Sequence, residues 1–380
     1  MSEWKKVKLG EICERVTSGG TPKANVSSYY NPPTIPWLKT KEVNYCRITE
    51  TENYISEEGL KNSSAKLISP NSVIIAMYGQ GDTAGRIAIN KIPLATNQAC
   101  CNLTIDKSKA DYEFIYYQLC TLYDKLVSLK AGAAQPNLNA RIIKNLEIIM
   151  PSLPIQHRIA NILSRYDSLI ENYQKQIKLL EEAAQRLYKE WFIDLHFPGH
   201  ENTKVIDGVP DGWTPSKLGQ LAEFKRGKTI TKKDAIEGVI PVVAGGLEPA
   251  YYCNKSNTAE RVITVSGSGA NAGFTRMYFE NVWASDCSFV DASTTPFLHF
   301  VYCYLKDNKT TIDNMQKGAA QPHVYAKDIN ALDLCVPNKN VLKSIENKVS
   351  KYFDTISSLQ SQIRLLTESR DRLLPKLMSS

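Results

Sequence analysis

The chain has 380 residues, of which 43% are hydrophobic and 22% charged, with 46 Lys and Arg against 39 Asp and Glu for a formal net charge of +7. That length accommodates two or three domains with their own cores, and the composition excludes disordered and fibrous classes. The basic excess permits a polyanionic partner without requiring one, and the absence of any run near eighteen apolar residues excludes a membrane-spanning class.

Met1 to Lys8 carries charge and no apolar core, so no signal peptide is expected and the location expected is cytoplasmic. Ser18-Gly19-Gly20-Thr21-Pro22-Lys23 follows, then Asn31-Pro32-Pro33-Thr34 and a segment with Lys39 and Lys41. Asn31-Pro32-Pro33 is similar to the start of the N-P-P-aromatic loop of amino-methyltransferases, but Thr34 stands where the aromatic would stack on a flipped base. A turn is the better reading. The apolar run Val73-Ile74-Ile75 leads into Gly79-x-Gly81-x-x-Ala84, a superficial dinucleotide fingerprint. Arg86-Ile-Ala-Ile after it reads as a strand, not as a helix whose N-terminus could hold a pyrophosphate, so a glycine loop between strands is expected. Gly132-Ala-Ala-Gln135-Pro136-Asn137 closes this part of the chain.

From Ile155 the apolar positions Ile159, Ile162, Tyr166, Leu169, Tyr173, Ile177, Leu180, Ala184, Leu187 and Trp191 alternate steps of four and three, one seam of a long helix with a stutter after Tyr173. Pro198, Pro210 and Pro215 mark a linker. A second segment begins near Trp213 and carries Lys225-Arg226-Gly227-Lys228-Thr229-Ile230-Thr231-Lys232-Lys233, then Gly267-Ser268-Gly269-x-Asn271-Ala272, then Gly318-Ala-Ala-Gln321-Pro322-His323. A second helical seam follows: Ile345, Val349, Tyr352, Ile356, Leu359, Ile363, Leu366, Leu373 and Leu377, interrupted by Arg370.

One unit is therefore written twice. Gly132-Ala-Ala-Gln-Pro136 recurs 186 residues later, and the same offset aligns Phe114 with Phe300, Tyr166 with Tyr352, Gln174 with Gln360 and Arg186-Leu187 with Arg372-Leu373. Trp4 and Lys8-Leu9-Gly10 answer Trp213 and Lys217-Leu218-Gly219 at an offset of 209, so the first copy holds 23 more residues in its middle. A similar frame around a divergent middle suits one kind of task on two targets. Neither helix can hide its seam alone, so the two are expected to pair as an antiparallel coiled coil. About 36 helical residues extend roughly 54 Å, on the order of 16 base pairs of duplex.

Isolated histidines and scattered cysteines assemble no metal site; the nine cysteines read as reduced thiols within cores. Chemistry that could contact a polyanion is easier to find. Ser18, Gly19, Lys23, Lys39, Lys41, Lys225, Arg226, Lys228 and Lys232 suit phosphate contacts. Gln80, Asp82, Gln135, Asn137, Ser268, Asn271, Gln321 and His323 are candidates for base readout.

The arrangement resembles the specificity subunit of type I restriction-modification systems. The residues that carry the likeness are Glu3-Trp4…Lys8-Leu9-Gly10-Glu11-Ile12 with Asp211-Gly212-Trp213…Leu218-Gly219-Gln220-Leu221, Ser18-Gly-Gly-Thr-Pro22…Ile35-Pro36-Trp37, and Gly132-Ala-Ala-Gln-Pro136 leading through Pro151-x-x-Pro-x-Gln156 into a helix. Two departures stand out: Lys225-Arg226-Gly227-Lys228-Thr229 replaces Ser-Gly-Gly-Thr-Pro in the second copy, and Asn340-Val341-Leu342 replaces Pro154-Ile155-Gln156. The resemblance implies an α/β (α+β) chain with an internal pseudo-twofold repeat: target recognition domains over 1–153 and 196–338, separated by antiparallel spacer helices over 154–195 and 339–380. It implies a non-catalytic subunit that reads an asymmetric bipartite site in double-stranded DNA. Two methyltransferase subunits and two restriction/translocase subunits would accompany it, with S-adenosylmethionine and ATP/Mg on those partners and no cofactor on this chain. A methyltransferase-only complex, and a stand-alone adenine methyltransferase using Asn31-Pro32-Pro33, are the alternatives.

Overall fold

A computed structural model describes residues 4–130, 137–316 and 322–379. It divides into two compact units: Met1–Ile170 with Arg364–Ser380, and Glu171–Ile363. Among the described residues, no helix is long and apolar enough to cross a membrane.

The first unit is built on two sheets. In one, the strands run in the order Cys13–Ser18, Cys100–Ile105, Val73–Ala76, Ile87–Asn90, Cys46–Ile48; in the other, Tyr54–Ile55, Ile35–Leu38, Leu94–Thr96, Leu67–Ile68. Val73–Ala76 and Ile87–Asn90 are buried on both faces, which is why they read as continuous apolar runs and not as alternation. The helix Tyr112–Cys120 lies in the same core and is capped by Asp111, whose carboxylate accepts from the amides of Glu113 and Phe114. A further strand pair, Lys5–Lys8 with Glu147–Met150, joins the two ends of the module.

The second unit repeats this plan with less around it. Lys225–Arg226, Cys287–Asp291, Val262–Ser266 and Thr275–Tyr278 form one sheet; Tyr251–Cys253, Ile240–Val243 and Trp283–Ala284 form the other. The registers match. Ile35-Pro36-Trp37-Leu38 pairs antiparallel through Pro36 with Tyr54 and parallel through Trp37 with Ala95; Ile240-Pro241-Val242-Val243 pairs antiparallel through Pro241 with Tyr252 and parallel through Val242 with Trp283. The middles that differ in sequence and length thus hold one backbone design. Burial pushes the thiols of Cys13, Cys101 and Cys287 up to about 12, as fits side chains packed for their volume.

Two long helices, Leu153–Phe192 and Lys339–Met378, contribute to both units. In the first unit Ile155, Ile159, Ala160 and Leu163 share a core with Leu373, Leu374, Leu377 and Met378, the start of one helix beside the end of the other. In the second, Ala184, Tyr188 and Trp191 share a core with Ile345, Val349 and Phe353. The helices run antiparallel within each unit. The buried stripe differs from the expected seam in the first helix: Leu163, Asp167 and Ile170 are buried, whereas Leu169 is 39% exposed. The expectation selected apolar letters alone, and so it stepped over a buried aspartate.

That aspartate is the centre of an ionic cluster within the first unit. Asp167 Oδ2 accepts from Arg47 at 2.8 Å and from the Tyr117 hydroxyl, and Asp167 Oδ1 accepts from Arg370 at 2.6 Å. Arg47 also donates to Glu113 at 2.5 Å, and Lys91 reaches Glu113 at 3.0 Å. Burial pushes the Asp167 carboxyl up, but Arg47, Tyr117 and Arg370 outweigh it and hold the group below its ordinary value. Gln156, fully buried, accepts from the Asp111 amide and donates to the Pro151 carbonyl, tying the helix start to the module. Its repeat counterpart is Leu342; in the second unit Glu346 does that work, accepting from the Phe300 amide at 3.0 Å and from His299 Nδ1 at 2.6 Å.

Candidate nucleic-acid interface

In each unit three loops converge at one end of the sheets, and backbone hydrogen bonds decide where they go. The first leaves a strand through a glycine. In the first unit the Gly19 amide donates to the Cys100 carbonyl and Gly20 to Thr96; in the second, Gly227 donates to Cys287 and Lys228 to Ala284. A Cβ on Gly19 would sit 2.2 Å from the Thr96 carbonyl oxygen, and one on Gly227 2.3 Å from that of Ser285. Both positions therefore require glycine. A tryptophan indole clamps each loop: Trp37 Nε1 donates to the Gly20 carbonyl at 3.1 Å, Trp283 Nε1 to that of Lys228 at 2.7 Å. The two tryptophans come from different, neighbouring strands, so no gap-free alignment could pair them.

The second is the glycine loop. It passes from strand Val73–Ala76 to strand Ile87–Asn90, and from Val262–Ser266 to Thr275–Tyr278, so a strand and not a helix follows. Gly81 and Gly269 have φ of +60° and +78°, the left-handed region that glycine enters without strain. The third is the segment after Gly-Ala-Ala: the Leu138 amide donates to the Met77 carbonyl, and Val324 to that of Gly267.

On this frame the side chains differ. In the first unit Ser18 and Lys23 are exposed, whereas Gly19 is buried. Lys39 is drawn inward, donating to Asn53 Oδ1 at 2.9 Å and lying over the Trp37 ring; exposed Lys41 pairs with Glu52. Gln80 and Asp82 are exposed in the glycine loop, with Asp82 paired to Arg86 at 2.5 Å, which holds its carboxyl below the ordinary range. Asn137 is half-buried beside Leu138. Gln98, whose amide oxygen accepts from Thr21, is an exposed member of the site that sequence reasoning missed.

In the second unit Lys225, Arg226, Lys228 and Lys232 are exposed, and among the described residues none has an ion-pair partner. Arg226 lines a cleft of about 230 Å³ with Gly267, Asp286, Ser288, His323 and Tyr325. Ser268 bridges to His323 through the backbone and donates its hydroxyl to Asp286; His323 stacks on Tyr325, ring centroids 5.8 Å apart. Asn271 donates to the Gly245 carbonyl at 3.4 Å. Asp286, the other residue missed, carries no motif and is brought to the site by the Gly267 amide on its carbonyl and the Ser268 hydroxyl on its carboxylate. Register makes Arg226 the counterpart of Ser18, since these residues pair with Ser288 and Cys101 in matching strands. Gln135 and Gln321 lie outside the described residues. Asn31 to Thr34 form an exposed loop ahead of strand Ile35–Leu38.

The family described as type I restriction modification DNA specificity domain matches this chain over residues 1–182 and again over 210–368. The chain is 28% identical to the type I restriction enzyme MjaIX specificity subunit of Methanocaldococcus jannaschii, covering 99% of this chain and 93% of that protein. It is 28% identical to the EcoR124I/EcoR124II specificity subunit of Escherichia coli over 51% of this chain and 48% of that one. The fold is similar to the crystal structure of a type I restriction-modification S subunit from M. genitalium, with a TM-score of 0.63, 19% identity, and coverage of 100% of this chain and 97% of the other.

Proposed function

The chain belongs to the type I restriction modification DNA specificity family, and from that membership we propose that each module reads one half of an asymmetric bipartite site in double-stranded DNA, with the helix pair setting the spacer. The observation that carries this reading is one frame bearing two unlike surfaces. The same three loops are fixed by equivalent backbone hydrogen bonds in both units, but Ser18 and Gln98 occupy one and Arg226 and Asp286 the other. The unpaired cations at Lys225, Lys228 and Lys232 suit phosphate, whose contacts hold a protein on the duplex without reading sequence, whereas Arg226 lies in the cleft beside Asp286 where a base edge could be read. The chain has the part of a recognition subunit, with methylation and cleavage carried by partners that bind S-adenosylmethionine and ATP/Mg.

A repeated outward face favours two copies of one partner, which we take to be the methyltransferase subunits, with two restriction/translocase subunits beyond them. Leu179 is 63% exposed and its repeat counterpart Leu365 60%. Exposed Glu182 and Arg186 recur as Glu368 and Arg372, one and two turns on from each leucine. An exposed leucine kept in both copies, while buried positions such as Asp167 and Phe353 diverge, marks a surface held for contact.

Exchanging residues 10–113 for those of another family member tests the modular reading. It is expected to change only one half of the methylated sequence; a swap that altered both halves would contradict it.

A further inference from the structure

The two long helices repeat one pattern in a fixed register, which raises the question of what stops each from pairing with a copy of itself. Asp167 pairs with Arg370 within the first unit. Their counterparts at the repeat offset are Phe353 and Ala184, both buried in one apolar cluster of the second unit. Ala184 lies seventeen residues beyond Asp167, and Phe353 seventeen residues before Arg370. In an antiparallel pair, equal steps in opposite directions lead from one facing position to another. The chain therefore places Asp167 against Arg370 at one station and Ala184 against Phe353 at the other.

We infer that this arrangement is a pairing code: each long helix accepts the other and refuses a second copy of itself. Were the first helix to pair antiparallel with its own copy at this register, Asp167 would face Ala184 of that copy, twice, with no cation from the helix opposite. Were the second to do so, Arg370 would face Phe353. Buried Asp167 would lose its cation from the facing helix, and half-buried Arg370, which also pairs with Asp371, would be set against an apolar ring, so both self-pairings are opposed, whereas the cross-pairing satisfies every station. A polar residue within an apolar seam fixes register and partner choice in the same way in other helix pairs. Asp167 cannot turn away to escape the mismatch, because Arg47 and the Tyr117 hydroxyl hold its other oxygen. The code opposes helix-exchanged dimers of this chain.

The test uses the full chain, refolded from denaturant at high concentration and examined by native mass spectrometry, with circular dichroism to confirm helix content. Asp167→Phe with Arg370→Ala copies the apolar station into the first unit and makes self- and cross-pairing equivalent. A several-fold rise in helix-exchanged dimer over the wild type is expected; a dimer fraction unchanged from wild type overturns the inference. A matched pair with equal polar burial approaches it from the second unit. Ala184→Arg with Phe353→Asp satisfies self-pairing and is expected to dimerise, whereas Ala184→Asp with Phe353→Arg sets like charges against each other in self-pairing and is expected to stay monomeric. Equal dimerisation by these two also overturns the inference. If one design fails to fold, the other decides.

Discussion

Removing the Asp167 carboxylate takes a charge partner from both Arg47 and Arg370, in a site where the Asp167 and Arg47 side chains are 6% and 5% exposed. Breaking such a buried pair typically costs about 3–5 kcal/mol, so Asp167→Ala is expected to lower the thermal midpoint of the chain by several degrees. The pH dependence has a definite sign. The folded-state carboxyl is held below its ordinary 3.8, so its contribution is fully present above that value and is lost as pH falls through the folded value. Below about pH 4 the stability of Asp167→Asn is therefore expected to fall less steeply than that of the wild type; equal acid limbs in denaturant titrations would contradict this. On the second unit, Arg226 in the cleft and exposed Lys232 outside it are expected to separate two roles. Arg226→Ala is expected to relax one position of a single half-site, a loss of about 1–3 kcal/mol of discrimination. Lys232→Ala is expected to weaken binding to all sequences alike and to reduce the salt slope by about 1, both read by affinity titrations at several salt concentrations.

Elements repeat more faithfully than letters. The helices were legible from one fixed offset, because helix periodicity leaves marks at constant spacing. The paired sheets were not, because Trp37 and Trp283 reach equivalent carbonyls from different strands, and Tyr30 donates to Pro22 from a turn whereas Tyr251 donates to Ile230 from a strand. Position in the chain does not reveal such substitutions, whereas backbone register does. Asp286 and Gln98 were illegible for a similar reason: each reaches its site through hydrogen bonds to residues far away in the chain and not through a motif. Ser18, Arg226 and the glycine loops were found, since exposed polar residues beside obligatory glycines are visible as letters. At this scale the outward helix faces carry a stoichiometric prediction. Leu179→Asp and Leu365→Asp are each expected to remove one of two bound methyltransferase subunits in native mass spectrometry, and the double variant both. Loss of both subunits from either single variant would contradict two independent docking faces.

For the whole molecule, doubling the frame while varying the loops lets one chain present two unlike surfaces. The two surfaces are unequal in charge: the loop that leaves strand Lys225–Arg226 carries cations with no ion-pair partner among the described residues, whereas Lys41 in the first unit is neutralised by Glu52 and Lys39 is turned onto Asn53 and Trp37. Unlike surfaces read unlike half-sites, so the recognised sequence should lack twofold symmetry. The most direct measurement is the methylation pattern of genomic DNA from cells that express this chain with its methyltransferase subunit. The account predicts a single bipartite motif with two different halves separated by a spacer of fixed length. A palindromic motif, a contiguous one, or a spacer of variable length would contradict it.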